Sequence, residues 1–523
     1  MRPFREKEWL LSLVVGSLIL WLIFLGNLPL RDWDEGTVAQ VAREIWRAPV
    51  NSMRWLYPIL GGEAYHNKPP LIHLLIAWTY SLLGVNEWTT RLPGAILTAL
   101  GVPILYLVGG LLFQQNLPAL FAALVYLTML PVVRHGRLAM LDGASISFFL
   151  LLLFFLLKAR QNKYYALGVG ICLGLITLTK GMLALLLGAI ACLFVIAERQ
   201  LTLWKNAYFW AGMFFGTAAP LAWYIAQWQY YGSNFLQTNF QAQTFNRLVQ
   251  SVEGNSGPLW YYLIELIKYG FPWLIFLPGG LYLATKKRHT TWARLVLIGT
   301  IVYFVTISLM RTKLPWYIMP IYPFLALAIG AQLSELWEHR HLIKKYWAVF
   351  LAIIALAGLG GCIYFAVADP QPVLIAMSLV LAISMSVAAW LIKKRVSVAD
   401  RRYRLFIPVL FSGMYLVLAL LMSSQSWIWE LNEAFPVKPV AELIRAHVAP
   451  GTKIYTSFAY QRPSLDFYCD CQVIPTDITG LQQMWSNKSY LLLDDDSLQN
   501  LNLSDGQVLG TSEEFTLISL PVS

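Results

Sequence analysis

The chain has 523 residues, of which 58% are hydrophobic and only 13% charged, with a mean hydropathy of +0.57. This composition excludes a water-soluble protein, because soluble domains carry about 25% charged residues. Segments close to the roughly 20 apolar residues needed to cross a bilayer recur between residues 9 and 423. The sequence therefore predicts an all-α polytopic membrane protein.

The net charge of +11 is unevenly distributed along the chain. Residues 425–523 hold twelve acidic and five basic residues, so the positive excess belongs to the apolar part. Much of it lies in short loops at residues 1–8, 158–163, 286–289, 338–345 and 393–404. Short basic loops are typical of the cytoplasmic side of a membrane, which argues against a nucleic-acid partner.

Fourteen apolar segments follow one another along the chain. They span residues 9–30, 70–84, 93–113, 117–134, 143–158, 164–179, 182–197, 208–227, 259–284, 291–309, 314–336, 346–367, 371–392 and 404–423. If all of them crossed, basic loops would fall on both sides, so we expect segment 70–84, which begins at Pro69-Pro70, to lie along the interface. About 13 transmembrane helices remain, the first of them uncleaved because no small-residue cleavage site follows it.

This topology puts the N-terminus inside and divides the chain into two domains, 1–424 and 425–523. The external face then receives the more polar loops: residues 31–92, 135–142, Lys180-Gly181, 228–258, 311–313 and the tail. The tail is predicted to be a small α/β domain, with helices at 440–448 and 481–485 and strands at 453–458, 473–475 and 490–493.

The five cysteines predict neither a disulfide nor a metal framework. Cys172, Cys192 and Cys362 lie in apolar segments and are expected to be packed thiols. Cys469 and Cys471 lie in the tail, but with one residue between them they are expected to be poorly placed to bridge each other.

Three carboxylates, Asp32, Asp34 and Glu35, directly follow the first span. Acids at a membrane interface are costly unless they are solvated, form ion pairs or have a functional role. One reading is a polar cap on a neighbouring helix. The other is a general base or cation site, because each acid of a pair raises the proton affinity of the other.

The same loop continues through His66 and Lys68 to two prolines, which disfavour a helical conformation for Lys68. A fixed ammonium at the interface suits an anionic headgroup. Ordinary lipid anchoring is the alternative reading.

A second acid, Asp142, is predicted to share the external face with Asp34. Six cations are predicted on the same face: Lys68, Arg137, Lys180, Arg247, Arg311 and Lys313. This mixture suits phosphate capture beside a proton acceptor, because cations stabilise a phosphate leaving group while an acid activates the nucleophile. The alternative is that these charges only solvate the loop ends.

Lys180 interrupts two apolar runs in a turn too short to need a charge, which favours a functional role over snorkelling to the interface. Arg311, Lys313 and Tyr317 form a similar group, although anchoring in an aromatic belt would also explain Tyr317. The sequence contains neither a G-x-x-x-x-G-K-[ST] phosphate loop nor an H-E-x-x-H zinc motif.

These motifs, taken in order, resemble those of a known enzyme family. They are Asp34-Glu35, Lys68-Pro69-Pro70-Leu71, Arg91-Leu92-Pro93, residues 137–142, Leu178-Thr179-Lys180-Gly181 and residues 312–320. Together they resemble the C-type (GT-C) membrane glycosyltransferases, and within them the group of lipid A aminoarabinose transferases and protein O-mannosyltransferases. The chain departs from the aminoarabinose pattern at Asn67, where a Glu is usual, and at Thr37, where an Arg is usual, so the sugar and the acceptor stay open.

The resemblance implies transfer of a sugar from a polyprenyl-phosphate donor to a lipid or glycan acceptor on the external face of the inner membrane. The predicted catalytic residues are Asp34, Glu35 and Asp142. The predicted donor-phosphate ligands are Lys68, Lys180, Arg137, Arg247 and Lys313, and the predicted substrate-binding residues are His66, Arg311 and Tyr317. No cofactor is required, although the chemistry allows a divalent metal, because lysines can stabilise the leaving phosphate.

Two alternative functions stay open. One is protein O-mannosylation, in which a protein hydroxyl would need Asp34 as a true general base. The other is a lipid or sugar transporter, which would place charges near the bilayer midplane and show repeat-related halves. The charges here cluster at one predicted interface, and the sequence shows no internal repeat.

Overall fold

The structure, a computed structural model, describes residues 6–252, 254–393, 401–428, 437–487, 489–501 and 506–520. Two of the basic loops predicted to be cytoplasmic, residues 1–8 and 393–404, lie partly outside these ranges.

Helices dominate the chain before the tail. Their bounds are α1 Glu6–Leu22, α2 Asp34–Arg47, α3 Leu71–Leu83, α4 Glu87–Phe113, α5 Asn116–Leu127, α6 Leu130–Arg137, α7 Asp142–Lys158, α8 Ala166–Lys180, α9 Leu183–Ala197, α10 Ala207–Tyr231, α11 Ser233–Leu236, α12 Arg247–Val249, α13 Tyr261–Tyr269, α14 Leu277–Lys286, α15 Thr291–Leu309, α16 Tyr322–Glu338, α17 Lys345–Val367, α18 Pro372–Lys393 and α19 Phe406–Ser423. A π-helical stretch, Gln237–Asn246, connects α11 to α12. A short hairpin, β1 Ile59–Leu60 and β2 Glu63–Ala64, follows α2.

Within the described residues, six helical segments are long and apolar enough to cross a membrane: Glu87–Phe113, Thr291–Leu309, Pro315–Glu338, Lys345–Val367, Pro372–Lys393 and Tyr403–Ser423. Two bent pairs, α5 with α6 and Trp273–Lys286 with α13, raise that number to eight if each pair is one span. The predicted helical membrane fold is thus confirmed, while the number thirteen stays a prediction. Segment 70–84 forms the 13-residue helix α3, which at about 1.5 Å per residue is too short to cross the bilayer upright.

The chain divides into two compact units. The first comprises Leu92–Trp427, His66–Leu71 and the chain up to Leu25. The second comprises Gly26–Tyr65, Ile72–Arg91 and the chain from Ile428 onward, so the loop after the first helix belongs with the tail. The division predicted at residue 424 did not include this association.

The tail contains the predicted small α/β fold. Its elements are α20 Val437–His447, β3 Lys453–Thr456, α21 Pro463–Cys469, β4 Gln472–Pro475, α22 Ile478–Ser486, β5 Tyr490–Asp494, α23 Asp495–Asn500, β6 Gln507–Ser512 and β7 Phe515–Ser519. The strands form one sheet in the order β4-β3-β5-β7-β6, with β3 parallel to β4 and β5 and the other pairs antiparallel. Apolar strand residues such as Ile454, Leu492 and Leu517 are fully buried in its core.

The prediction that Cys469 and Cys471 would not bridge is wrong, because the two form a disulfide. Asp470 between them adopts a left-handed conformation with φ of 61° and ψ of 35°. This backbone brings the two Cα atoms to 5.3 Å, within the usual range for a disulfide. The Asp470 carboxylate is also held, by Arg47 and by Arg43, whose Nη2 lies 3.1 Å away.

In the first unit, α8 and α10 approach each other closely enough that only glycine fits between them. A Cβ atom on Gly170 or Gly174 of α8 would overlap the backbone of Gly212 or Gly216 on α10, and one on Gly212 or Gly216 would overlap the backbone of Leu167 or Gly170 on α8. Small residues allow such close packing in membrane proteins. The contact fixes the position of α8, whose last residue is Lys180.

We expect Gly174→Ala to lower the stability of the protein by about 1 to 3 kcal/mol, because the added methyl group must push the two helices apart. Gly360→Ala is the matched control, since a Cβ atom on this glycine of α17 would meet nothing within 4 Å. The thermal unfolding midpoint of each purified variant in detergent measures the difference. An unchanged midpoint for Gly174→Ala would contradict the packing described for α8 and α10.

Candidate active site

A cavity of about 290 Å³ lies within the first unit. Its charged lining residues are Lys68, Asp142, Lys180 and Arg247. Its other polar lining residues include Asn67, Asn239, Gln243, Tyr303 and Tyr317. The apolar part of the lining includes Met182, Leu183, Leu185, Leu186, Ile307 and Met310. The cavity is therefore amphiphilic, with several cations beside an apolar surface.

Asp142 and Lys180 form an ion pair in this cavity. Asp142 is the first residue of α7 and Lys180 the last residue of α8. The helix dipole favours an acid at the first position and a base at the last, so both helices stabilise the charges they carry. The side chains of Asp142 and Lys180 are only 6% and 16% exposed, so removing either charge would leave the other buried without a counter-charge, which is costly.

Tyr317 connects the ion pair to a second cation of the cavity. The Lys180 ammonium lies 5.7 Å from the centre of the Tyr317 ring, within range of a cation–π contact. Arg247 Nη1 donates a hydrogen bond of 2.9 Å to the Tyr317 hydroxyl. The Tyr303 hydroxyl in turn donates to the Tyr317 carbonyl at 2.9 Å, which fixes the backbone that carries this ring.

Lys68 reaches the cavity from the loop before α3. Its ammonium lies 3.4 Å from Oε1 of Gln243, in the π-helical stretch. Asn239 of the same stretch donates a 2.8 Å hydrogen bond to the carbonyl of His66, which ties this stretch to the Lys68 loop. Five predicted site residues thus line one cavity: Lys68, Asp142, Lys180, Arg247 and Tyr317.

Arg137 does not line the cavity, although it was predicted to bind donor phosphate. It is fully buried, and its guanidinium donates to the carbonyls of Leu20, Ile23 and Met422 at 2.7 to 3.3 Å. It also lies 4.5 Å from the ring centre of Trp427. In this structure it satisfies the carbonyl groups at the ends of α1 and α19, as cations at helix C-termini do.

Three other predicted residues also lie outside the lining. Lys313 donates to the carbonyls of Ile307 and Ser308 at the end of α15, and burial lowers its pKa. Arg311 is exposed. His66 packs against the ring of Tyr231 at 4.5 Å, and burial lowers its pKa, which favours the neutral imidazole.

The three acids of the first loop lie in the second unit, and two of them are buried in ion pairs. Glu35 accepts two hydrogen bonds of 2.8 Å from Arg91, and both side chains are completely buried. Asp32 accepts from Arg462 at 2.5 Å and from Ser464 at 2.6 Å. These contacts fix the conformation of the loop, because Arg91 also donates to the carbonyls at residues 28 and 29.

Asp34 differs from its two neighbours in its exposure. Its side chain is 29% exposed and lies 3.7 Å from the Arg31 guanidinium. It begins α2, and the preceding residue, Trp33, has a φ of 59°, a strained value for a bulky side chain. Such strain is concentrated at functional sites. Of the three acids, Asp34 has the most exposed side chain.

Sequence reasoning singled out Asn67 but missed the other neutral side chains of the cavity, above all Asn239, Gln243 and Tyr303. The repeated amides in residues 237–243 were the available signal, since such groups are uncommon in an apolar chain. Among the described residues, no group of three or more His, Cys, Asp or Glu side chains could hold a metal ion.

Comparison with known proteins gives both sequence relatives and structural neighbours. The family model described as dolichyl-phosphate-mannose-protein mannosyltransferase matches residues 67–224. An undecaprenyl phosphate-alpha-4-amino-4-deoxy-L-arabinose arabinosyl transferase of Pseudomonas fluorescens is 25% identical over 483 residues, covering 88% of this chain and 85% of the relative. A protein of the same description from an Enterobacter species is 25% identical, covering 67% of this chain and 65% of the relative.

The crystal structure of ArnT from Cupriavidus metallidurans bound to undecaprenyl phosphate has a TM-score of 0.78 to this chain at 19% identity, with 98% of each chain covered. The same protein in the apo state has a TM-score of 0.76 with the same coverage. These values establish a shared fold over nearly the whole chain. The resemblance predicted from the sequence is thus confirmed: the chain has the fold of the C-type membrane glycosyltransferases and, among them, resembles the aminoarabinose transferases.

Proposed function

We propose that this chain transfers one sugar from a polyprenyl-phosphate donor to a lipid or glycan acceptor on the external face of the inner membrane. The observation that carries the proposal is the amphiphilic cavity, in which Lys68, Lys180 and Arg247 share one lining with apolar side chains. A polyprenyl phosphate combines the two matching features, an anionic head and a long apolar chain. The names of the relatives and the undecaprenyl phosphate bound to ArnT support this choice of donor.

The cations of the cavity suit the departure of the donor phosphate. In the reaction, the bond between the anomeric carbon and the phosphate oxygen breaks, and the acceptor oxygen forms the new bond to that carbon. The polyprenyl phosphate leaves with the electron pair, and nearby cations stabilise the charge that develops on it. Lys68, Lys180 and Arg247 are assigned to this task, and Lys180 in addition holds Asp142.

The acceptor hydroxyl loses its proton during transfer, and Asp34 is assigned as its base. Its partial exposure and strained surroundings support this role, whereas Glu35 is already engaged by Arg91. Asp142 is assigned as the second acid, because its charge in the cavity orients Lys180. If the acceptor is a phosphate, it is already ionised and the base contributes less.

Protein O-mannosylation stays as a second candidate function, because the matching family model describes a mannosyltransferase that acts on proteins. It uses the same class of donor and would need the same base. The two functions differ in the acceptor, which is a lipid or glycan in one and a protein in the other. Mass spectrometry of lipids and envelope proteins from a strain lacking the gene distinguishes them, because only one of the two fractions loses a sugar.

Asp34→Asn should reduce sugar transfer by about 10² to 10⁴-fold while leaving the fold intact, because the change removes a base with little change of shape. Glu35→Gln is the comparison variant. It breaks the buried pair with Arg91 and should instead cost about 3 to 5 kcal/mol of stability. Transfer from an undecaprenyl-phosphate sugar and thermal unfolding are measured for both purified variants. Near-normal turnover of a folded Asp34→Asn protein would contradict the assignment.

Lys68→Ala should weaken binding of undecaprenyl phosphate by roughly ten- to a hundredfold, because a charge-assisted contact is typically worth about 1.5 to 3 kcal/mol. Lys68→Arg should recover part of the loss if charge is the main contribution. Lys205→Ala serves as control, since Lys205 is exposed and does not line the cavity. Titration of the purified protein with undecaprenyl phosphate measures the effect. Equal affinity of wild type and Lys68→Ala would remove Lys68 from the phosphate site.

Lys180→Ala is expected to be more severe, because it also leaves Asp142 buried without its cation. Both lysines are assigned to one ligand, so the Lys68 and Lys180 substitutions should not be additive in this titration. Strict additivity in the double variant would indicate that they act on separate groups.

A further inference from the structure

The cavity carries an excess of positive charge. Its described lining contains three cations, Lys68, Lys180 and Arg247, and Asp142 is the single carboxylate among the described residues that form it. The cations therefore exceed the carboxylate by two charges. A polyprenyl-phosphate sugar is a phosphodiester with one negative charge, so the excess persists when the donor binds.

Asp142, the one carboxylate among the described lining residues, already has a partner. Asp142 is paired with Lys180, and the two side chains are 94% and 84% buried. Within this lining, a sugar that carries an ammonium group would have to compete with Lys180 for Asp142 or bind without a carboxylate partner among these residues. Either outcome is unfavourable, because like charges repel strongly in a partly desolvated cavity and a cation removed from water needs a counter-charge.

The remaining polar lining suits hydroxyl groups. Asn67, Asn239, Gln243, Tyr303 and Tyr317 line the cavity and are neutral. Amides and phenols both donate and accept hydrogen bonds, as sugar hydroxyls do. Such groups can orient a polyhydroxylated ring without adding charge.

From this charge arrangement we propose that the donor sugar is neutral and hydroxylated, and thus unlike the 4-amino sugar in the names of the relatives. The inference rests on the proposed function, since it concerns the sugar on the same polyprenyl-phosphate donor. It also assigns Asn67 as a residue that controls the choice of sugar. Asn67 directly precedes Lys68 and lines the cavity, so a carboxylate at this position would add a negative charge to the lining.

The test is displacement of labelled undecaprenyl phosphate from the purified full-length protein. The competitors are undecaprenyl-phosphate glucose, undecaprenyl-phosphate mannose and undecaprenyl-phosphate 4-amino-4-deoxy-arabinose, measured at a pH at which the amine is protonated. At least one neutral donor should displace the label at a concentration about tenfold or more below that of the amino donor. An amino donor that competes equally well or better overturns the inference.

Failure of the proposed function gives a different result, because the labelled undecaprenyl phosphate itself would then not bind saturably to the wild-type protein. That outcome removes the inference as well. Saturable binding combined with a preference for the amino donor rejects only the choice of sugar.

Asn67→Glu places a carboxylate at the assigned position and should shift the preference toward the amino donor by about tenfold. Asn67→Gln enlarges the side chain without adding charge and should leave the preference for neutral donors in place. If both variants shift the preference equally, size rather than charge acts at this position, and the assignment of Asn67 is overturned.

Discussion

The ion pair between Asp142 and Lys180 is the constraint on which the candidate site depends. An uncompensated charge inside a membrane protein costs several kcal/mol, so each of these buried residues requires the other. They meet because one begins α7 and the other ends α8, where the helix dipoles favour them. The glycine contact between α8 and α10 in turn fixes the lysine, and the remaining cations of the cavity give it the excess charge that suits a phosphate.

The same cost of burying charge distinguishes the three acids of the first loop. Glu35 and Asp32 are buried and bind Arg91 and Arg462, so their charges stabilise the second unit. Asp34 keeps a larger exposed fraction and follows a strained residue. Two acids hold the loop, and the third is the one we propose as the base. The proposed catalytic role therefore depends on structural charges that neighbour it in the sequence.

Sequence reasoning could predict the helical membrane fold, the tail strands and the cavity residues Lys68, Asp142 and Lys180. Charges stand out in an apolar chain because they are costly there. The same signal could not distinguish Lys180 from Arg137 or Lys313. The latter two donate to backbone carbonyls at helix ends, and the sequence alone does not show which cations do so. Nor does the sequence show the left-handed conformation of Asp470 that permits the disulfide. The number of spans is also difficult to predict, because two helix pairs are bent by 57° and 115°.

Photo-crosslinking with a diazirine-labelled undecaprenyl phosphate tests the central claim most directly, because it locates the lipid on the chain. The account predicts saturable labelling, competed by unlabelled undecaprenyl phosphate, on peptides from the α8–α9 turn and the start of α9, where Leu183, Leu185 and Leu186 line the cavity. Labelling confined to α17 and α18, which contribute no residue to the cavity lining, would contradict it.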